Sequence, residues 1–96
     1  MAEVDLIDDL ELRRRKLRYR AWHRGTREMD LVLGRFVDAE LARLTPPALA
    51  ELEALMEVPD PELFAWVIGQ SVVPASFDTP LFRRLAEFNR AGGGVR

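Results

Sequence analysis

The sequence predicts an all-α protein, a small antiparallel bundle of about five helices. Three observations predict it. Thr45-Pro46, Asp60-Pro61 and Thr79-Pro80 each set a capping residue directly before a proline. The side-chain oxygen of the first residue accepts an orphan backbone N–H, and proline at the first helical position has no N–H to lose. Second, Met29, Val32, Leu33, Phe36, Val37, Leu41 and Leu44 recur at the i, i+3, i+4 spacing of a helix with one buried stripe. Third, the stretches between candidate helices are short, as they are between antiparallel neighbours.

The elements follow in order. The first helix is expected from Asp5 to Arg24, ending at Gly25, which adopts a left-handed terminal conformation at little cost. Its apolar residues Leu12, Leu17, Tyr19 and Trp22 form no clean stripe, so it should pack on one narrow edge and offer a broad charged face to water. The second is expected from Arg27 to Leu44. The third, from Pro46 to Glu57, offers Leu49, Leu52, Leu55 and Met56 to the core. The fourth is short, from Pro61 to Gln70 behind an Asp60 cap, with Leu63, Phe64, Val67 and Ile68 facing inward. Pro74 then blocks simple continuation through Val73-Pro74-Ala75-Ser76. The fifth runs from Pro80 to Arg90, with Leu81, Leu85 and Phe88 on one side, and Gly92-Gly93-Gly94 ends it. Residues 1–96 read as one domain with no internal repeat, and residues 1–8 and 91–96 are expected to fray.

Composition narrows the function classes. A chain of 96 residues can bury roughly 60–65% of its unfolded surface, enough for one modest core. It has no cysteine, which excludes a disulfide scaffold, a thiol nucleophile and a cysteine-ligated metal or iron–sulfur site. No apolar run approaches the roughly 18–20 residues that cross a bilayer, so no membrane insertion is expected. The amino terminus is acidic where a targeting peptide would be basic, and a cytoplasmic location is expected.

The net charge of −2 conceals strong segregation. Residues 1–11 carry −5, residues 12–27 carry +8, residues 28–62 carry −7 and residues 63–96 carry +2. Such blocks describe a polarised surface suited to a partner of complementary charge. One function that could use the basic block is nucleic-acid binding through Arg13 to Arg27, with Tyr19 and Trp22 available for stacking. Acidic flanks and a pI of about 5.4 argue against it, and a solvated helix face is the commoner meaning of such a run.

The sign of the charge reverses within Arg24-Gly25-Thr26-Arg27-Glu28, an Arg-Gly-x-x-Glu pattern. One reading is purely structural: a cation closes one helix, glycine turns the chain, and Glu28 and Asp30 open the next helix at its positive end. The functional reading adds that Arg24, Arg27 and Glu28 protrude from a rigid corner and offer a guanidinium fork and a carboxylate to another protein. His23, the single histidine, lacks a nucleophile to activate and a second ligand for a metal; a partly exposed helix-end residue is the simpler reading. No dinucleotide-binding or phosphate-loop glycine pattern occurs. Trp66, in Asp60-Pro61-Glu62-Leu63-Phe64-Ala65-Trp66, falls off the Leu63/Phe64/Val67 face, so partial exposure and a role as an interface anchor are expected.

The order of these segments resembles the succinate dehydrogenase flavinylation factors, also called FAD assembly factors. The resemblance rests on Arg20-Ala-Trp-His-Arg-Gly-Thr-Arg-Glu-Met-Asp leading into Leu33 and Phe36, on the helix after Thr45, and on Asp60-Pro61-Glu62-Leu63-Phe64-Ala65-Trp66, similar to that family's Asp-Pro-x-Leu-Phe-x-Trp. It spans Leu12 to Phe88. The acidic amino-terminal extension departs from the compact members. The resemblance implies a five-helix bundle that binds the flavoprotein subunit of succinate dehydrogenase, and in some bacteria of fumarate reductase. It implies an assembly factor and not an enzyme. FAD would be attached to a histidine of the partner, with no cofactor held stably by this chain. Carried over by position, Arg24, Gly25 and Glu28 form the partner-binding corner, with Tyr19, Arg20, Asp30 and Trp66 nearby.

Overall fold

The computed structural model describes residues 8–93. Five α-helices and two short 3-10 turns make up this region, with no strand among the described residues. Helix α1 spans Asp9–Trp22, α2 Arg27–Glu40, α3 Pro46–Met56, α4 Asp60–Val67 and α5 Pro80–Arg90. The 3-10 turns lie at Leu41–Arg43 and Ala75–Phe77.

The all-α expectation holds, and several boundaries move for identifiable reasons. Asp8, within the stretch expected to fray, caps α1 by accepting the Glu11 N–H at 2.7 Å. The expected helical residues 5–7, and the expected fraying of residues 1–7 and 94–96, lie outside the described residues. At its other end α1 stops at Trp22, short of the Arg24 expected. His23 leaves the helical region, and the Arg24 N–H turns to the Asp30 carboxylate at 2.7 Å instead of to a carbonyl of α1. The last residues of the expected second helix tighten into the 3-10 turn before Thr45.

Thr45 and Thr79 cap as expected, accepting the N–H of Ala48 and Phe82. Asp60 does not. Helix α4 begins one residue early behind Pro59, which has no side-chain acceptor, and the Asp60 carboxylate is used elsewhere. Helix α4 also ends before the predicted Gln70. Gly69, at φ +82°, sends its N–H to Trp66, while the Gln70 N–H returns to Ala65, a paired arrangement that closes a helix with a left-handed residue. Ile68 is thereby left 41% exposed, not in the core as expected. The same closure recurs after α5, where the N–H groups of Gly92 and Gly93 return to Asn89 and Phe88. Residues 91–93, within the stretch expected to fray, thus carry the closing bonds of α5. The segment expected as loop at 73–76 runs into the second 3-10 turn, Ala75–Phe77.

Side-chain pairs give the helix directions. Trp22 lies over Gly34, Arg18 meets Asp38, and Arg14 reaches the Leu44 carbonyl, so α2 descends as α1 rises. Phe36 with Phe88 and Glu40 with Arg84 likewise set α5 antiparallel to α2. The core is contributed mainly by Met29, Val32, Leu33, Phe36 and Val37 of α2, and by Leu49, Leu52, Leu55 and Met56 of α3. Leu63 and Val67 of α4 and Leu81, Phe82 and Leu85 of α5 close it. Phe64 and Phe88 are only partly buried against it. Helix α1 adds just Leu17 and Ala21, in line with its predicted narrow edge.

Candidate functional site

The turn between α1 and α2 is built by three side chains and one backbone angle. Gly25 has φ +106°, and a β-carbon there would meet nothing within 4 Å. The demand on this position is therefore one of backbone conformation and not of space. Thr26 caps α2 by accepting the Met29 N–H at 3.3 Å, and Glu28 and Asp30 lie in the first turn, at the positive end of the helix dipole. Asp30 faces back across the turn to hold the Arg24 N–H. Arg27 and Glu28 are exposed on the outer side of this corner.

Arg24 does not protrude as the sequence suggested. Its side chain is 10% exposed and lies along the joint between α3 and α4. Nε and Nη2 both donate to Asp60 Oδ1, at 2.9 and 2.6 Å. Nη1 donates to the Met56 carbonyl at 2.9 Å and Nη2 to the Val58 carbonyl at 3.1 Å. Met56 is the last residue of α3, so the guanidinium satisfies carbonyls at a helix end that otherwise have no intrahelical partner. Asp60, 20% exposed, stands in the first turn of α4 and supplies the neutralising charge. Asp60 was expected to cap α4 and Arg24 to face a partner; each instead completes the other.

The remaining sequence candidates divide. Tyr19 is 65% exposed and stacks on His23 with ring centroids 3.9 Å apart. His23 Nδ1 lies 2.6 Å from the Tyr19 carbonyl. A carbonyl only accepts, so Nδ1 carries a hydrogen and donates it. Arg20 pairs with Glu57 at 2.6 Å near the end of α3. Together with Arg24, Pro59 and Asp60, these residues line an open groove of about 420 Å³ beside the corner. Trp66 is not with them. It is half-buried, packed at a tilt 5.3 Å from Phe77. Its expected partial exposure holds, but the structure does not bring it into the Tyr19–Arg24 groove.

The basic block is largely tied to acids of other helices. Arg13 makes two bonds to Glu53, at 2.9 and 3.2 Å, and the first effect of this contact is to raise its guanidinium pKa. Arg18 meets Asp38 and Arg20 meets Glu57, while Arg15 pairs with Glu11 of its own helix. The +8 and −7 blocks thus meet inside one molecule. Among the described residues no group of three or more His, Asp and Glu side chains could hold a metal, and no helix is long and apolar enough to cross a membrane.

Sequence reasoning missed the packing of Trp22 on Gly34. The Trp22 indole lies flat on Gly34, where a β-carbon would fall 2.3 Å from the ring, and its Nε1 donates to Asp38 at 3.3 Å. The available signal was a glycine inside the apolar stripe of a helix, a position that ordinarily costs stability and so points to close packing.

Fold and site define a small helical protein organised around a charged two-helix corner that is clasped from within. The family described as "Flavinator of succinate dehydrogenase" matches residues 15–89, and the chain belongs to it. It is 42% identical over 87 residues to the FAD assembly factor SdhE of Acetobacter pasteurianus, covering 91% of this chain and 80% of that protein. It is 35% identical over 77 residues to the mitochondrial succinate dehydrogenase assembly factor 2 of Dictyostelium discoideum, covering 80% of this chain and 55% of that one. The chain thus spans about half the length of the mitochondrial relative. No solved structure matches it at a significant level.

Proposed function

We propose that this protein is an assembly factor that binds the flavoprotein subunit of succinate dehydrogenase and promotes covalent attachment of FAD to it. Membership of the flavinator family carries this reading. The corner supports it: Arg27 and Glu28 are exposed side by side on a turn braced by Gly25, Thr26 and Asp30. Tyr19 and Arg20 extend the same face along the neighbouring groove. Opposite charges on a braced turn suit recognition of a polar protein surface, because the backbone that carries them has little conformational freedom left to lose on binding. Trp66 serves as a peripheral anchor. The flavoprotein subunit of fumarate reductase is a second client of the same kind.

The factor acts by holding its partner in a state competent for flavinylation, and not as an enzyme. FAD resides on the partner, and this chain, which has no dinucleotide-binding glycine pattern, holds none stably. The nucleic-acid alternative gains no support, since Arg13, Arg15, Arg18 and Arg20 are engaged with carboxylates of this chain. In a strain lacking the wild-type factor, in-gel flavin fluorescence reads covalent FAD on the flavoprotein subunit directly. Glu28→Ala at normal protein level should give a clear loss. Full flavinylation with Glu28→Ala would remove the corner from the proposal, and full flavinylation with no factor at all would remove the function.

A further inference from the structure

We infer that Arg24 is a positioning residue: clasped by Asp60 and the carbonyls of Met56 and Val58, it locks the α1–α2 corner onto the α3–α4 joint and so sets the direction in which Arg27 and Glu28 are offered to the partner. This rests on the docking reading above and deepens it. Four bonds run from one guanidinium to three residues 32 to 36 positions away along the chain. Among the described residues no other arginine of the basic block is so engaged: Arg13 makes two bonds to one residue, Arg14 one to a carbonyl, and Arg20 one to a carboxylate. The side chain starts one residue before the left-handed Gly25, so anchoring its far end restrains the turn that α2 grows from. The backbone of the same residue is held as well, by Asp30 of α2. Arg24 therefore joins three helices through one residue, and its guanidinium, at 10% exposure, has little surface left for a partner. Helix α4 packs chiefly on α5, so this clasp is the described polar link between the corner and the start of α4.

A contact role and a positioning role give opposite outcomes for Asp60→Asn. If Arg24 touched the flavoprotein, neutralising Asp60 would free the guanidinium, and binding would hold or improve. If Arg24 positions the corner, Asp60→Asn must weaken binding although residue 60 lies on another helix. Affinity for the purified flavoprotein subunit is measured for Asp60→Asn, Arg24→Gln and the double variant. The work is done at low temperature, with the folded fraction fixed by circular dichroism. Each single change should weaken binding about tenfold, and the double change no more than either, because both break one unit. Amide hydrogen exchange of the free factor should speed up at Arg24, Met29 and Asp30, the corner amides that are hydrogen-bonded, in all three variants. Arg24→Lys keeps the charge but not the planar fork, and should show the same exchange defect. Unchanged or tighter binding by Asp60→Asn, losses that multiply in the double variant, or unaltered exchange across the corner would each overturn the inference. Glu28→Ala separates this from failure of the docking reading: it should leave exchange at the corner slow while weakening binding. If it binds normally, the docking surface is wrong, and the exchange data still decide the clasp.

Discussion

Gly34 and Gly25 are both indispensable glycines, for different physical reasons. At Gly34 the obstacle is Trp22, whose ring atoms would lie 2.3–2.7 Å from an added β-carbon. Gly34→Ala should therefore push the indole off α2 and away from Asp38, at a cost of about 1–3 kcal/mol, the range for overpacking a close contact. Denaturant unfolding measures the loss, and a red-shifted tryptophan emission would accompany it. An unchanged unfolding midpoint would show that the ring has room to move. Gly25 has open space but φ +106°, so Gly25→Val should cost about 1–2 kcal/mol in backbone strain alone. A second change that makes room around position 25 should recover none of it, whereas trimming Trp22 should relieve Gly34→Ala.

At the scale of the helix, α1 and α5 both use arginine–carboxylate pairs, α1 to reach its neighbours and α5 to fix its entry. Helix α1 buries only Leu17 and Ala21, lays Trp22 over Gly34, and otherwise reaches its neighbours largely through its arginines. Exposed pairs of this kind contribute about 0–1 kcal/mol each, whereas truncating a buried leucine costs about 2–5 kcal/mol. Leu17→Ala should then destabilise the protein far more than Arg18→Ala, and a chemical denaturation series on the two variants tests the order. The entry to α5 is stapled by Arg83, which donates to both oxygens of Asp78 at 2.9 and 3.2 Å. This hydrogen bonding holds the Asp78 carboxyl below its ordinary value of 3.8. A carboxylate whose folded pKa is depressed stabilises the fold above its unfolded pKa and loses that contribution as pH falls through the folded value. The carbon-detected titration of Asp78 should thus have its midpoint below the ordinary value, and return to it in Arg83→Gln.

Across the whole molecule, segregated charge is reconciled by folding. The basic block of α1 and its corner meets acids of α2, α3 and α4, through Asp38, Glu53, Glu57 and Asp60. These contacts are not equivalent. Arg18 with Asp38 lies open to solvent and salt, while Arg24 with Asp60 is mostly enclosed. Removing one member of an enclosed pair strands the other, so Asp60→Ala should cost about 3 kcal/mol, the low end for buried pairs because both partners keep some water. Raising the salt to about 0.5 M should abolish the effect of Arg18→Ala and leave most of that of Asp60→Ala, since screening acts on exposed charges. Thermal melts at two salt concentrations decide this; equal salt sensitivity of both variants would mean the clasp is as wet as the surface pair.

The sequence by itself determined the all-helical character, most helix starts and the inner faces of α2 and α3. Thr45 and Thr79 before proline, and the repeat from Met29 to Leu44, act over a few residues, and local hydrogen bonding and periodicity suffice to read them. Helix ends were less readable, because α1 stops where Asp30 of the next helix takes the Arg24 N–H, and no local residue announces that. The segment order also carried the family. What only the tertiary structure decided is the use of particular charges. Asp60 has the local chemistry of a cap and Arg24 that of an exposed fork, yet they stand 36 residues apart and bond to each other. An ionised side chain takes whichever partner removes most of its desolvation cost, and that partner is known only once the helices have packed.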